Sequence, residues 1–182
     1  EGEQTHIIAG FKGVSFVDPR RFEAFVLNAW LGGGMSSRLY QSIREKKGLA
    51  YTVYSNITTF EDCGALTVYA GTDSKGVGAV LDAIRKDVGE LRRKKLNEKA
   101  LDVFKQQVRG SILLGADDME NRMSSLGVNE MTFEEHVPVE KVVSEIDKVT
   151  AEGVRDLAQK ILDPDKMSVL IMGDADSKKI EL

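Results

Sequence analysis

The sequence predicts an α+β fold, a two-layer sandwich of a mainly antiparallel sheet with helices packed on one face. Segments typical of strands lie near the beginning, in the first half and at the end of the chain. Two of them are joined by a short turn, which favours antiparallel pairing. A long stretch of helical periodicity separates this pair from the last strand. Helices grouped apart from strands in this way are typical of the α+β class.

The length and composition are those of a globular protein. The chain has 182 residues, 42% of them hydrophobic and 30% charged, which suits one domain over residues 1–182. The net charge of −4 leaves no excess of cations to neutralise phosphates, so we predict no nucleic-acid partner. No apolar run reaches the ~18 residues that cross a bilayer, so we expect a soluble chain without a membrane span. The compartment, cytoplasmic or periplasmic for a bacterial protein, stays open.

The first strand is predicted over residues 6–17, with a bend at its two glycines. Asp18 and Pro19 then have the pattern of a helix N-cap followed by proline at the first helical position. The residues after them recur every three or four positions, which indicates a helix with one face toward the core. These apolar residues are Phe22, Phe25, Val26 and Ala29.

A glycine triplet, Gly32–Gly34, separates that helix from a second, short helix predicted over residues 36–46. Ser36 or Ser37 is the expected N-cap. Gly48 follows where a left-handed residue commonly ends a helix. This stretch combines more glycines and polar side chains than any other part of the chain, which makes it the candidate working surface.

A β-hairpin follows, with strands predicted over residues 51–59 and 65–70 around a turn at residues 61–64. From Ser74 the periodicity becomes helical, and this helix ends in the basic run 92–95, which we interpret as a solvated helix terminus.

Four more helices and a strand are predicted beyond residue 95. Asn97 is the N-cap of the first helix, and residues 117–131 continue as a second helix. Its methionine stripe is expected to fill the core. Further helices begin at Pro138 and Thr150, and the closing strand covers residues 167–172. Residues 174–182 are expected to form a tail. The methionines are Met119, Met123 and Met131.

Several chemistries lack the residues that they need. The two histidines, His6 and His136, lie far apart, so the inverted zinc motif His-x-x-Glu-His is absent and we predict no metal site in this chain. The single cysteine, Cys63, excludes an internal disulfide and has no motif partner, so we interpret it as inert. The glycine triplet is no nucleotide-binding motif, because no Gly-Lys-Ser/Thr follows and position 37 is serine.

The residues of the polar stretch allow a structural and a functional interpretation, both for the glycines and for Arg44 and Tyr51. The triplet Gly32–Gly34 is either a flexible joint or a backbone kept open for a substrate or partner. Arg44 ends a helix and Tyr51 begins a strand, so both can project from the same edge of the sheet. An arginine can bind a carbonyl or carboxylate, and a tyrosine hydroxyl can donate to an oxyanion. Spacing alone favours a structural role, in which Arg44 stabilises the negative end of the helix dipole and Tyr51 packs against the rest of the chain.

The same stretch resembles the second, zinc-free half of the pitrilysin-type zinc metallopeptidases, a family that includes insulin-degrading enzyme and mitochondrial processing peptidase. The matching residues are Leu31–Tyr40 and Ile43–Tyr51. Residues 149–154 resemble the start of the family's late helix, and residues 167–173 resemble its closing strand. The similarity covers roughly residues 5–174.

The resemblance implies that this chain is one half of a two-half metalloendopeptidase, with a processing-peptidase-like fold. The other half, fused upstream or a separate subunit, binds the zinc cofactor, and this chain binds none and should be inactive alone. Arg44 is expected to anchor the peptide substrate beyond the scissile bond. Tyr51, the catalytic candidate, is expected to bind the substrate and to help hold the tetrahedral intermediate. Gly33 and Gly34 are expected to line the approach of the substrate.

Two other functions remain as alternatives. The runner-up is a non-catalytic scaffold or core subunit of the same fold, which the presence of both Arg44 and Tyr51 disfavours. The third is a stand-alone peptide-binding domain. The start of the chain has no methionine and no leader pattern, so we read the sequence as a piece of a longer protein.

Overall fold

The computed structural model describes residues 4–175, which contain one four-stranded antiparallel sheet. The spatial order of the strands is β2-β3-β1-β4. The strands are β1 (Thr5–Lys12), β2 (Thr52–Thr59), β3 (Gly64–Thr72) and β4 (Ser168–Met172). The predicted α+β class with an antiparallel sheet is therefore confirmed, and so is the hairpin formed by β2 and β3.

Six α-helices connect and cover these strands within the described residues, and none of them is long and apolar enough to cross a membrane. A π-helix, Tyr40–Lys46, precedes β2, and a short 3-10 turn, Pro164–Lys166, precedes β4. The α-helices are α1 (Arg21–Gly32), α2 (Val77–Arg93), α3 (Glu98–Ala116), α4 (Met119–Phe133), α5 (Val139–Lys148) and α6 (Ala151–Ile161).

The sheet has one buried face and one exposed face. Along β1, Ile7 and Ala9 are fully buried, whereas Ile8 between them is exposed, as expected from the two-residue period of a strand. On the exposed face the rings of Tyr54 and Tyr69 stack with their centroids 5.0 Å apart. The alternation places the core between the sheet and the helices.

Local signals for several element ends are confirmed. The Asn97 side chain accepts a hydrogen bond from the Ala100 N–H at 2.8 Å and caps α3. The Thr150 hydroxyl accepts one from the Gly153 N–H at 3.0 Å and caps α6. Gly48 has φ +59°, the left-handed conformation that its position predicts.

The predicted extent of the first strand and the start of the first helix are wrong. β1 ends at Lys12 because its partner strand β3 extends no further than Gly64: the Gly13 N–H donates to the Gly64 carbonyl at 2.8 Å at the edge of the ladder. Asp18 does not cap α1. Its carboxylate instead accepts the Arg20 N–H at 2.8 Å and pairs with the Arg20 guanidinium, and α1 begins one residue later, at Arg21.

The predicted serine cap of the second helix is also wrong. Ser37 is fully buried, and its hydroxyl has no hydrogen-bond partner among residues 4–175. Its carbonyl accepts from the Gln41 N–H, as in a first helical turn, but the buried hydroxyl bonds no backbone N–H of the helix, so the serine side chain does not cap it. The wide π turns begin at Tyr40.

The methionine stripe of α4 does not fill the core. Met119, Met123 and Met131 are each more than two thirds exposed, and Asn129 is the buried residue of the helix. The prediction fails because α4 packs mainly on the end of α3 and not on the sheet. The tail prediction for residues 174–182 lies outside the described residues except at Asp174 and Ala175.

Candidate functional site

The π-helix Tyr40–Lys46 determines where Arg44 points. Leu39 and Ile43 are fully buried and anchor its inner side, so the side chain of Arg44 lies on the outer side, partly exposed. The segment then turns at Gly48, whose N–H donates to the Arg44 carbonyl at 3.1 Å. π-Helical turns are rare and occur frequently at functional sites.

The structure brings Arg44 and Tyr51 into contact. The guanidinium carbon Cζ of Arg44 lies 4.5 Å from the centroid of the Tyr51 ring and 4.9 Å from that of the Tyr40 ring, within the range of a cation–π interaction. Tyr51 is 72% exposed. Glu45 Oε1 is 3.9 Å from Arg44 Nε, too far for a hydrogen bond. The guanidinium is therefore held by aromatic rings while its donors remain available.

An open groove of about 620 Å³ lies beside Tyr51, at the end of the sheet where β3 ends and β2 begins. The loop 48–50 forms one wall, and the Thr72 hydroxyl fixes it by donating to the Leu49 carbonyl at 2.6 Å. Small residues and backbone make up much of the lining, and its charged side chains are Asp73 and Asp174. The groove therefore lies next to the exposed side chain of Tyr51.

Gly33 and Gly34 contact a different part of the molecule. The Gly33 carbonyl accepts a hydrogen bond from Gln107 Nε2 at 2.7 Å, and a Cβ at Gly34 would lie 3.2 Å from the same atom. A Cβ at Gly33 would lie 2.6 Å from the Ala29 Cα. These contacts tie the glycines to α1 and α3, whereas Arg44 and Tyr51 contact each other.

Asp87 is a structurally important residue that sequence reasoning missed. It is a carboxylate on the inner side of α2 and is 3% exposed. Its Oδ1 accepts from Arg38 Nε at 2.9 Å, and its Oδ2 accepts from the Ser42 hydroxyl. Arg38 also pairs with Glu90, one turn further along α2. The signal in the sequence is an aspartate among the apolar positions of an amphipathic helix, which implies a partner from elsewhere in the chain.

The pKa directions in this network follow the ion pairs. Burial acts to lower the pKa of Arg38, but its hydrogen bond to Asp87 and its proximity to Glu90 outweigh burial and raise it. The hydrogen bond from Lys94 lowers the pKa of Glu90, with further lowering by Arg38. Both groups are therefore held in their charged forms, and the segment that carries Arg44 is fixed to α2.

Other reactive groups do not assemble into a site. Within residues 4–175 no group of three or more histidine, cysteine, aspartate or glutamate side chains has an arrangement that could hold a metal ion. His6 Nδ1 is instead 2.7 Å from the Tyr69 hydroxyl on the exposed face of the sheet. Cys63 is exposed, and its hydrogen bond with Asp62 raises the pKa of the thiol, which disfavours the nucleophilic thiolate.

Comparisons with known proteins identify relatives over most of the chain. The chain is 37% identical over 171 residues to the "Uncharacterized zinc protease YmxG" of Bacillus subtilis, which covers 94% of this chain and 42% of that protein. It is 39% identical over 160 residues to an uncharacterized zinc protease of Streptomyces coelicolor, covering 88% of this chain and 35% of that protein. The chain thus spans about two fifths of the length of such relatives.

Solved structures share the fold. The peptidase M16 inactive domain from Pseudomonas fluorescens superposes with a TM-score of 0.83 at 25% identity, covering 93% of this chain and 41% of that one. A protease from Helicobacter pylori has a TM-score of 0.79 at 15% identity, covering 93% of this chain and 41% of that one, which shows the fold alone.

A family model matches the part of the chain that includes Arg44 and Tyr51. The model is described as "Peptidase M16 inactive domain", and it matches residues 1–108. The match confirms the family resemblance that the sequence predicts and agrees with the relatives named zinc proteases. The chain therefore belongs to the peptidase M16 family, as its inactive domain.

Proposed function

We propose that this chain is the substrate-binding half of a zinc-dependent metalloendopeptidase, which completes the active site and is inactive without the zinc-bearing half. One observation carries the proposal. The Arg44 guanidinium lies 4.5 Å from the centroid of the Tyr51 ring, and Tyr51 lines an open groove at the end of the sheet. A cation and a phenol are thus held together next to a space that accepts an extended chain.

Arg44 binds the backbone of the peptide beyond the scissile bond. Its position between two rings leaves the guanidinium preorganised, and it makes no hydrogen-bonded ion pair among the described residues. A guanidinium has five donors in a rigid fork, which suits carbonyl oxygens. In this proposal the carbonyl oxygens of the peptide accept the hydrogen bonds that Arg44 does not make with a carboxylate of this chain among the described residues.

Tyr51 stabilises the tetrahedral intermediate. Its hydroxyl is on an exposed side chain, and a phenol can donate to an oxyanion that develops on the substrate. The Arg44 guanidinium packs on the ring of Tyr51 and helps to hold its orientation. The role of Gly33 and Gly34 in the approach of the substrate rests on the family resemblance, because their contacts here are with Ala29 and Gln107.

The zinc ion belongs to the partner half in this proposal. The described residues of this chain do not fit a metal, since no suitable cluster is present among residues 4–175. When bound by that half, fused or separate, the metal supplies an activated water. This chain contributes Arg44 and Tyr51. It matches about two fifths of the length of its relatives, so the rest of those proteins is long enough to contain a zinc-bearing half.

The test is peptide cleavage by the chain combined with its zinc-bearing half. Tyr51→Phe should lower kcat by about 10²-fold, the usual cost of removing one oxyanion donor. Arg44→Ala should chiefly raise KM. Tyr54→Phe is the matched control, because it removes an exposed hydroxyl from the same hairpin outside the groove. Full activity in both Tyr51→Phe and Arg44→Ala would refute the assigned roles.

The scaffold alternative gives a different result in the same experiment. A scaffold subunit would form the complex with its partner, but the unmodified complex would cleave no peptide at any substrate concentration. Complex formation, measured by sedimentation, therefore has to accompany the kinetics. Tight peptide binding by this chain alone would favour the stand-alone peptide-binding domain.

A further inference from the structure

A second cavity, of about 510 Å³, lies between α1, α3, α4 and α5 and shares no lining residue with the groove at Tyr51. Its volume is within the range of small-molecule binding sites, about 300–1,000 Å³. Phenylalanines from three parts of the chain line it together with branched aliphatic side chains. The phenylalanines are Phe16, Phe22, Phe25 and Phe133.

Arg21 brings a positive charge to this apolar wall. Its Cζ lies 4.3 Å from the centroid of the Phe22 ring, 5.5 Å from that of Phe133 and 6.0 Å from that of Phe16. Its NH1 donates to the Asp18 carbonyl at 3.3 Å. Arg21 forms no ion pair with a carboxylate of residues 4–175. The nearby Asp18 carboxylate pairs instead with Arg20, at 2.9 Å.

Burial lowers the pKa of Arg21, with Glu145 and Asp18 acting in the opposite direction. A guanidinium stays protonated under all ordinary conditions, so this shift measures unfavourable solvation of the cation rather than loss of charge. A partly buried cation without a paired carboxylate gains most from an anion that can enter the same apolar space.

Polar side chains of α4 also line the cavity, among them Ser125 and Asn129. Asn129 is buried, and its Nδ2 has a long hydrogen bond, 3.4 Å, to the Ser125 hydroxyl one turn earlier on the same helix. Apart from Asn129 and the half-buried Thr132 and Phe133, the residues of α4 are exposed to solvent. A buried amide with so weak a partner can turn toward a ligand.

The charged groups of the lining, with Arg21 included, balance each other. Arg122 and Asp117 carry opposite charges, as do Arg21 and Glu140. Asp117, Arg122, His136 and Glu140 are exposed to solvent. Arg21 is therefore the charged group that lies among the aromatic rings, and its positive charge favours a negatively charged ligand.

We propose that this cavity binds a small apolar monocarboxylate, of the kind represented by a medium-chain fatty acid. The carboxylate pairs with the Arg21 guanidinium, and the hydrocarbon part packs on the phenylalanine rings. Asn129 offers an additional donor to the carboxylate. The site is separate from the proposed peptidase site and does not depend on it.

The test is calorimetric titration of the full chain with decanoate and, separately, with decanol, which has the same tail without the charge. Decanoate should bind one molecule per chain and at least tenfold more tightly than decanol, because charge-assisted hydrogen bonds are the strong ones. Arg21→Gln should remove this preference by weakening decanoate about tenfold while leaving decanol unchanged. Arg109→Gln is the matched control, since Arg109 pairs with Asp147 on the surface away from the cavity.

A second variant covers the case in which Arg21→Gln does not fold. Ser125→Phe adds an aromatic ring on the cavity wall at an exposed helical position, and it should abolish decanoate binding. Decanoate should also slow amide hydrogen exchange in α4, which forms that wall. Absence of saturable binding, equal affinity for decanol, or decanoate binding that survives both substitutions would each overturn the proposal.

Discussion

The buried Asp87 carboxylate on α2 accepts a hydrogen bond from Arg38 Nε at 2.9 Å, across 49 positions of sequence. The same carboxylate accepts from Ser42, inside the π-helix that carries Arg44. The Asp87 carboxylate thus holds the segment that carries Arg44 against α2 at two points, Arg38 and Ser42. The geometry of the candidate site depends on it although it lies outside the groove.

Asp87→Ala should lower the free energy of unfolding by about 2–3 kcal/mol, because it leaves Arg38 and Ser42 without their shared acceptor. The estimate is below that of a fully buried pair, since Arg38 is partly exposed. Urea denaturation measures it. Asp82→Ala on the same helix removes an exposed carboxylate and should cost less than about 0.5 kcal/mol; equal costs would contradict the role of Asp87.

Gly48→Ala should destabilise the chain by about 1–2 kcal/mol, because a Cβ is unfavourable at φ +59°. The cost comes from the backbone alone, since a Cβ there would meet no atom within 4 Å. Gly110→Ala is the control, since this glycine lies inside α3 and is equally uncrowded. It should stabilise by about 0.5–1 kcal/mol. A shift of Tm in the same direction for both would refute the conformational argument.

Acid should weaken the fold partly through Glu90. Its pKa is lower in the folded chain than in the unfolded chain, because of the hydrogen bond from Lys94 and the charge of Arg38. Its stabilising contribution is therefore complete above its ordinary pKa and is lost as pH falls through the lowered value. Unfolding free energies between about pH 5 and pH 3 should fall less steeply in Glu90→Gln than in the native chain. An unchanged slope would exclude this contribution.

Met123→Gln should leave the stability within about 0.5 kcal/mol of the native chain, because the side chain is on the exposed face of α4. Leu101→Ala, which removes a buried side chain of α3, should cost about 2–5 kcal/mol. Thermal denaturation compares the two. A large loss in Met123→Gln would mean that the methionine stripe is buried after all.

Local patterns predicted much of the fold for a clear reason. Asn97 and Thr150 each accept a hydrogen bond from a backbone N–H three residues later, at the start of a helix. Gly48 ends a helix through its own left-handed conformation. The hairpin likewise joins neighbours in sequence. Where local groups have competing partners, prediction failed: Asp18 bonds the Arg20 N–H and guanidinium instead of capping α1.

The sequence by itself determined the fold class, the hairpin and the family, because these depend on short-range periodicity and on a specific glycine-to-tyrosine motif. Only the tertiary structure decided that the Arg44 guanidinium lies on the Tyr51 ring, that Asp87 holds Arg38, and that Arg21 enters an aromatic cavity. It also decided that the α4 methionines face solvent. An apolar stripe is the same in a buried helix and an exposed one, because burial depends on which surfaces the whole chain brings together.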